Sequence, residues 1–193
     1  MNLCIFGASS DRLDPCYYDA AEALGGLIAR AGHTVVFGGG AGGLMGACAR
    51  GAQKAGGRLI GIAPKLFDEP GFLLSGCTEL ILTDTMAGRK EKMLALSDAF
   101  LALPGGIGTM DEFFEALTLR QLGLLDGNLV LLNTAGFYDA LEAFLHQMAD
   151  QGFMSRNCLS LLRICPTPEA ALEAALERKG PRGSIRRLED YTR

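Results

Sequence analysis

Short apolar segments alternate with longer amphipathic segments along most of the chain, and this alternation restricts the fold more than any other feature. Residues 99–103 and 129–132 are apolar throughout, whereas residues 17–31 and 109–122 repeat apolar side chains at helical spacing. Strands that are apolar on both faces are typical of parallel sheets covered by helices on each side. The pattern predicts an α/β fold: a Rossmann-like, doubly wound parallel sheet with helices on both faces.

Length and composition set limits on organisation and on function. The chain has 193 residues, which predicts a single domain over residues 1–178 and a loose, Gly- and Arg-rich tail over residues 179–193. A net charge of −4 argues against a nucleic-acid partner, and no apolar run is long enough to span a membrane. The first residues, MNLCIFGASSD, do not resemble a signal peptide.

Cysteine and histidine usage indicates the compartment and bears on metal binding. The six cysteines form no C-x-x-C pair, and several lie in apolar segments, so we expect reduced thiols in a cytoplasmic protein. The two histidines, His33 and His146, are far apart in sequence, which makes a structural zinc site improbable. We therefore expect neither a metal site nor another cofactor.

A first glycine loop, FGGGAGGLMG, follows the predicted strand at residues 33–37. It contains the G-x-G-x-x-G pattern of dinucleotide-binding proteins, but it follows the second strand, and GIAPKL stands where the ribose-binding acid is expected. Three interpretations remain: a dinucleotide site, packing glycines, or a loop for a single phosphate group lined by Gly39, Gly40 and Gly43. Ser9, in the FGASSD segment after the first strand, either caps a turn or lines the same pocket.

A second glycine loop, LPGGIGTMDE, follows the strand at residues 99–103. Thr109 and Glu112 fit a capping box, in which Thr109 caps a helix and Glu112 bonds back to its amide. The preceding glycines also suit a phosphate site, because their amides and the positive end of the helix can face an anion. In that interpretation the helix start keeps Glu112 ionised, and a cation is needed to separate it from the phosphate.

Arg89 and Lys90 supply candidate cations. They lie at the start of the predicted helix in TDTMAGRKEKML, just before the strand that leads into the second glycine loop. Helix starts in a parallel sheet meet at its carboxyl edge, so Arg89 and Glu112 could face one pocket. The alternative is a solvated helix face that pairs with nearby acids.

These segments together resemble the LOG ("Lonely guy") family of cytokinin riboside 5′-monophosphate phosphoribohydrolases, of which many bacterial members were once labelled lysine decarboxylases. The resemblance extends from Cys4 to about Phe153 and depends on GGGAGGLMG, MAGRK, PGGIGTMDE, LRQLG and GFYDAL. It implies a homodimer that cleaves the N-glycosidic bond of a nucleoside 5′-monophosphate. It also implies that Arg89 and Glu112 are catalytic residues. The substrate contacts that it implies are Lys90, Gly106, Ile107, Gly108, Thr109, Met110, Asp111, Thr118 and, less directly, Glu69.

The chain departs from the family pattern at positions that bear on the base rather than on the reaction. The family often has an aromatic residue at Ile107, Trp at Leu119 and His at Leu125, and CGSS in place of GASS. Three rival functions remain: a nucleotide-binding module without catalysis, a pyridoxal-phosphate decarboxylase, and a general nucleosidase for AMP or other monophosphates. No lysine stands out as a pyridoxal-phosphate site.

Overall fold

The computed structural model describes residues 1–177, and these residues form one sheet of seven parallel strands in the order β4-β3-β2-β1-β5-β6-β7. The strands are β1 (Asn2–Phe6), β2 (Thr34–Phe37), β3 (Arg58–Pro64), β4 (Glu79–Thr83), β5 (Ala99–Ala102), β6 (Leu129–Leu132) and β7 (Leu162–Cys165). The helices are α1 (Pro15–Arg30), α2 (Gly43–Lys54), α3 (Met86–Ala95), α4 (Ile107–Gln121), α5 (Asp139–Asp150) and α6 (Pro168–Leu176), with short 3-10 turns at Lys65–Phe67, Thr134–Gly136 and Arg156–Leu161.

The core has two layers, one on each face of the sheet, because successive strand side chains point to opposite faces. Leu3 and Ile5 of β1 face the layer covered by α1, α2 and α6, whereas Cys4 and Phe6 face the layer covered by α3, α4 and α5. The predicted doubly wound parallel sheet with helices on both faces is confirmed.

The strand order changes direction between β1 and β5. From β1 the chain moves outward through β2 and β3 to β4, and then returns to place β5 on the other side of β1. Ligands of such sheets bind at the carboxyl edge beside this switch point. The loops that follow β1, β2 and β5 all lie at this edge, and they include both glycine loops.

The start of α4 differs from the sequence-based interpretation. The capping-box interpretation is wrong, because α4 begins at Ile107 with Gly106 as its N-cap, and Thr109 is inside the first turn. Helix α1 is capped by the carboxylate of Asp14, which accepts the Cys16 N–H, and Ser10 of FGASSD caps the preceding turn by accepting the Arg12 N–H at 3.3 Å. The predicted tail at residues 179–193 lies outside the described residues, so its looseness and the domain limit at residue 178 stay predictions. Over residues 1–177, no helix is long and apolar enough to cross a membrane.

Candidate active site

Helix α3 places Arg89 at the carboxyl edge of the sheet. Thr85 caps this helix by accepting the Gly88 N–H at 3.0 Å, so that Arg89 lies in the first turn. Its side chain turns inward and is only 6% exposed. An arginine so deeply buried needs hydrogen-bond acceptors, and two are found. The solvated-face interpretation is therefore wrong for Arg89.

Those acceptors are a carboxylate and a backbone carbonyl. Nη1 of Arg89 donates to Oε1 of Glu112 at 2.5 Å, and its Nε donates to the carbonyl of Ile62 at 3.2 Å. The Glu112 side chain is 8% exposed. Burial raises the pKa of the Glu112 carboxyl above its ordinary value, while the charge and hydrogen bond of Arg89 oppose that rise. The expectation that the helix start keeps this carboxyl ionised is thus incomplete, because Glu112 lies beyond the first turn of α4.

Gly38, which the sequence analysis did not single out as a contact, makes room for Arg89. A Cβ at this position would lie 2.0 Å from Nη2 of Arg89. Any side chain here would displace the guanidinium from Glu112 and Ile62. The only sequence signal for this contact was Gly38 itself, the first of three consecutive glycines. It did not indicate that the Arg89 side chain fills the space beside it.

The start of α4 presents backbone amides without partners inside the helix. The first internal bond runs from the Met110 N–H to the Gly106 carbonyl at 3.1 Å, and Gly106 provides no side-chain cap. The N–H groups of Ile107, Gly108 and Thr109 therefore have no acceptor within α4. Gly106, Ile107 and Gly108 are exposed. Together these amides form the kind of helix start that binds anions.

Gly105 allows the Thr109 side chain to fold against the loop. A Cβ on Gly105 would lie 2.1 Å from the Thr109 hydroxyl oxygen, and Thr109 is 4% exposed. Tyr138 supports the same loop from below, by donating its hydroxyl to the Leu103 carbonyl at 2.6 Å. Burial raises the pKa of this phenol, so Tyr138 stays protonated and remains a donor. Tyr138 lies in the GFYDAL segment, but no local signal in the sequence predicts its contact with Leu103.

A cavity of about 520 Å³ runs along one face of α4 and reaches Lys90 of α3. It is lined by Lys90 and by residues of α4: Ile107, Met110, Asp111, Phe114, Glu115, Thr118 and Leu119. Lys90 bonds to Asp111 at 2.9 Å and to Glu115 at 2.8 Å, and these hydrogen bonds raise the pKa of its amine. Five of the substrate contacts that the family resemblance implies therefore line one cavity.

The first glycine loop is bonded to other loops of the protein. The Gly39 carbonyl accepts the Leu74 N–H at 2.8 Å, and Gly40 forms a bridge with Leu73. Gly43 donates its N–H to the carboxylate of Asp11 at 2.8 Å. These contacts anchor the loop on both sides.

Ser9 and Glu69 are not brought into the cavity. Both are exposed, and the Glu69 side chain forms no hydrogen bond or ion pair with another described residue. Across residues 1–177, no cluster of three or more His, Cys, Asp or Glu side chains could hold a metal ion. A second depression, of about 480 Å³ between α1 and α2, contains none of the predicted site residues.

Comparison with known proteins places this arrangement in a family. The family model described as "Possible lysine decarboxylase" matches residues 45–175. A cytokinin riboside 5′-monophosphate phosphoribohydrolase of Mycobacterium marinum is 37% identical over 83% of this chain and 86% of its own length. One of Rhodococcoides fascians is 40% identical over 82% of this chain and 80% of its own length.

A solved structure of similar fold is a molybdenum cofactor binding protein of Rippkaea orientalis. It is 25% identical, has a TM-score of 0.69, and the match covers 89% of this chain and 93% of that one. The two phosphoribohydrolases are considerably more similar in sequence. The chain thus belongs to the LOG family of cytokinin riboside 5′-monophosphate phosphoribohydrolases, whose family model carries the description "Possible lysine decarboxylase".

Proposed function

We propose that this protein is a phosphoribohydrolase that cleaves the N-glycosidic bond of adenosine 5′-monophosphates, including N6-modified ones, and releases the free base and ribose 5-phosphate. The observation that carries the proposal is the buried Arg89–Glu112 pair beside the open start of α4. Membership of the LOG family supports it, since the curated relatives carry this activity in their names.

The phosphate of the substrate binds at the start of α4. The N–H groups of Ile107, Gly108 and Thr109 donate to its oxygens, and the Thr109 hydroxyl adds a further bond. The positive end of the helix stabilises the phosphate charge. Arg89 and Lys90 supply the cations that offset the neighbouring carboxylates of Glu112 and Asp111.

Glu112 performs the chemistry. Water attacks the anomeric carbon as the bond to the base nitrogen breaks, and positive charge develops on the ribose ring. The Glu112 carboxylate stabilises that charge and takes a proton from the water, while the base leaves with the bonding electrons and is protonated by solvent or another group. A raised pKa suits this role, because a carboxylate with a higher pKa is a stronger base.

The cavity on the outer side of α4 receives the remainder of the nucleotide. Met110, Phe114 and Leu119 give it apolar walls, whereas Lys90, Asp111 and Thr118 add polar groups. An apolar wall with a few polar groups suits a purine base and an apolar N6 substituent. Leu119, where the family often has Trp, leaves more room on this side.

Amino-acid decarboxylation with pyridoxal phosphate is disfavoured by the state of Lys90. A Schiff-base lysine needs a neutral amine, and its pKa is usually lowered for that purpose. The carboxylates of Asp111 and Glu115 instead raise the pKa of Lys90 and keep it charged. An absorption scan of the purified protein should show no band of bound pyridoxal phosphate in the near-ultraviolet and visible range, where the polypeptide itself does not absorb.

The decisive experiment is chromatographic. Purified protein is incubated separately with AMP and with N6-isopentenyl-AMP, and free base and ribose 5-phosphate are quantified. We expect both products from the wild type, and turnover lower by about 10³-fold in Glu112→Gln, which keeps the size of the side chain but removes the carboxylate. Glu91→Gln, a change on the exposed face of α3, serves as the matched control.

The outcomes separate the rival functions. Preference for the isopentenyl substrate indicates a cytokinin-producing enzyme, and equal or greater rates with AMP indicate a general nucleosidase. Binding of AMP without release of base by the wild type would show a nucleotide-binding module instead. Full activity of Glu112→Gln would contradict the assignment of this residue.

As part of the same proposal, the protein acts as a homodimer in the cytoplasm. Leu122 and Leu124, at the end of α4, are 43% and 63% exposed, and such side chains favour burial against a second copy. All six cysteines lie within residues 1–177 and none is in a disulfide, as expected in a reducing compartment. Light scattering should give twice the monomer mass for the wild type and for Leu66→Glu, and the monomer mass for Leu124→Glu.

A further inference from the structure

The start of α2 differs from that of α4 because its amides are already bonded. Oδ1 of Asp11, in the loop after β1, accepts the Gly43 N–H at 2.8 Å. The next amide, that of Leu44, donates to the Ala8 carbonyl, also at 2.8 Å. Two of the first amides of α2 are therefore satisfied within the protein and are not available to a ligand.

The geometry of Gly43 makes this closure possible. Gly43 has a φ of +62°, and a Cβ would lie 2.1 Å from the Ala8 carbonyl oxygen. Only glycine can adopt this positive φ and lie this close to the Ala8 carbonyl without strain. The same conformation directs its N–H toward Asp11, and the Asp11 carboxylate also lies against Gly42.

Asp11 changes the charge of this helix start as well as its hydrogen bonding. The positive end of a helix attracts anions, but here a carboxylate already occupies it. A phosphate group brought to the same place would meet a like charge at short range. Neither helix has an acidic residue in its own first turn, but among the described residues no carboxylate accepts from the first amides of α4.

The two helix starts meet at a single residue. Ala8 donates its N–H to the Pro104 carbonyl, beside the second glycine loop, and accepts from Leu44 of the first. A ligand whose phosphate sits on α4 and continues into a second phosphate would reach toward α2 across this residue. The first glycine loop has the spacing that holds a pyrophosphate in dinucleotide-binding proteins.

We propose that Asp11 is a specificity-determining residue that closes the start of α2 to a second phosphate group. On the proposed function, in which one phosphate binds at α4, this restricts the substrate to nucleoside monophosphates and excludes nucleoside diphosphates and dinucleotides. The glycine loop then retains the fingerprint spacing of a dinucleotide site, while its anion position is filled by the protein's own carboxylate.

The test is a calorimetric comparison of AMP and ADP binding, made in Glu112→Gln protein so that neither ligand is consumed. Asp11→Asn removes the charge and keeps an oxygen for the Gly43 amide, whereas Asp11→Ala also frees that amide. We expect the ADP affinity relative to AMP to rise about tenfold in Asp11→Asn and further in Asp11→Ala. Asp19→Asn, an exposed position on α1, removes the same charge elsewhere and should leave the ratio unchanged.

The outcomes distinguish the two proposals. An unchanged ratio in both Asp11 variants, with normal AMP binding and unchanged melting temperatures, would overturn the role of Asp11 and leave the proposed function intact. An equal rise in Asp19→Asn would assign the effect to net charge and would also overturn it. Failure of the Glu112→Gln protein to bind AMP, together with no release of base by the wild type, would overturn the proposed function, and the role of Asp11 with it.

Discussion

The two glycine loops look alike in sequence and differ in use. Each follows a strand at the carboxyl edge of the sheet and leads into a helix. In the first loop, Gly43 donates to Asp11, Gly39 accepts from Leu74, and Gly38 accommodates Arg89. In the second, the amides at the start of α4 face outward without partners in the helix. Glycine can therefore serve close packing or ligand approach, and the contacts of its amide distinguish the two uses.

Among changes that separate the two loops, the largest effect is expected from filling the space beneath Arg89. Gly38→Ala places a Cβ 2.0 Å from the guanidinium and should lower kcat/KM by about 100-fold, because small displacements of catalytic groups cost about that much. Gly40→Ala is the matched control, since a Cβ there meets nothing within 4 Å. Steady-state kinetics of both variants would test this; equal effects would show that the first loop does not act through Arg89.

A change in the second loop should act on substrate affinity instead. Thr109→Val keeps the shape of the side chain and removes the hydroxyl assigned to the phosphate. We expect about tenfold weaker AMP binding, as for loss of one hydrogen bond to a charged group. Calorimetry would measure it, with circular dichroism to confirm folding. Unchanged affinity would remove Thr109 from the phosphate site.

The Arg89–Glu112 pair predicts a pH dependence of activity. Burial raises the pKa of Glu112 above its ordinary value of 4.5, and Arg89 lowers it in part. The reaction needs the ionised form, so activity should fall as the pH drops through the raised pKa. In Arg89→Gln the opposing influence is lost, and the acidic limb of the kcat/KM profile should move to higher pH. A limb that stays in place would show that Glu112 does not control it.

The smallest effect is expected from Tyr138, which supports the second glycine loop. Tyr138→Phe leaves the buried Leu103 carbonyl without its donor and should lower the free energy of unfolding by about 1–2 kcal/mol. Denaturant titration would measure this loss. Tyr18→Phe, whose hydroxyl donates to the Ser10 carbonyl at a more exposed position, is the control and should change stability less.

The sequence was sufficient to predict elements and the sheet type, because apolar runs and helical spacing are local signals. The proximity of Arg89 and Glu112 also followed from local information, since helix starts in a parallel sheet share one edge. The helix start at Ile107 was missed, because the spacing of Thr109 and Glu112 mimics a capping box.

The contacts of Asp11, Gly38 and Tyr138 could not be predicted, since each depends on how loops distant in sequence pack together. Gly38 and Arg89 come from different crossovers, and their contact depends on the register of β2 against β3 and on the tilt of α3. Tyr138 reaches Leu103 across the α5 side of the sheet. Such contacts are set by tertiary packing and produce no periodic pattern in the sequence.

The strand order also has a consequence for the chain during its synthesis. Leu3 of β1 pairs with Val35 on one side and with Ala99 on the other. While the first half of the chain emerges from the ribosome, β1 can join β2 but keeps its other edge open, and open edges invite pairing with other chains. Strand β1 gains its second neighbour only when β5 emerges. The folding protein therefore forms its switch point and covers the open edge of β1 in the same late step.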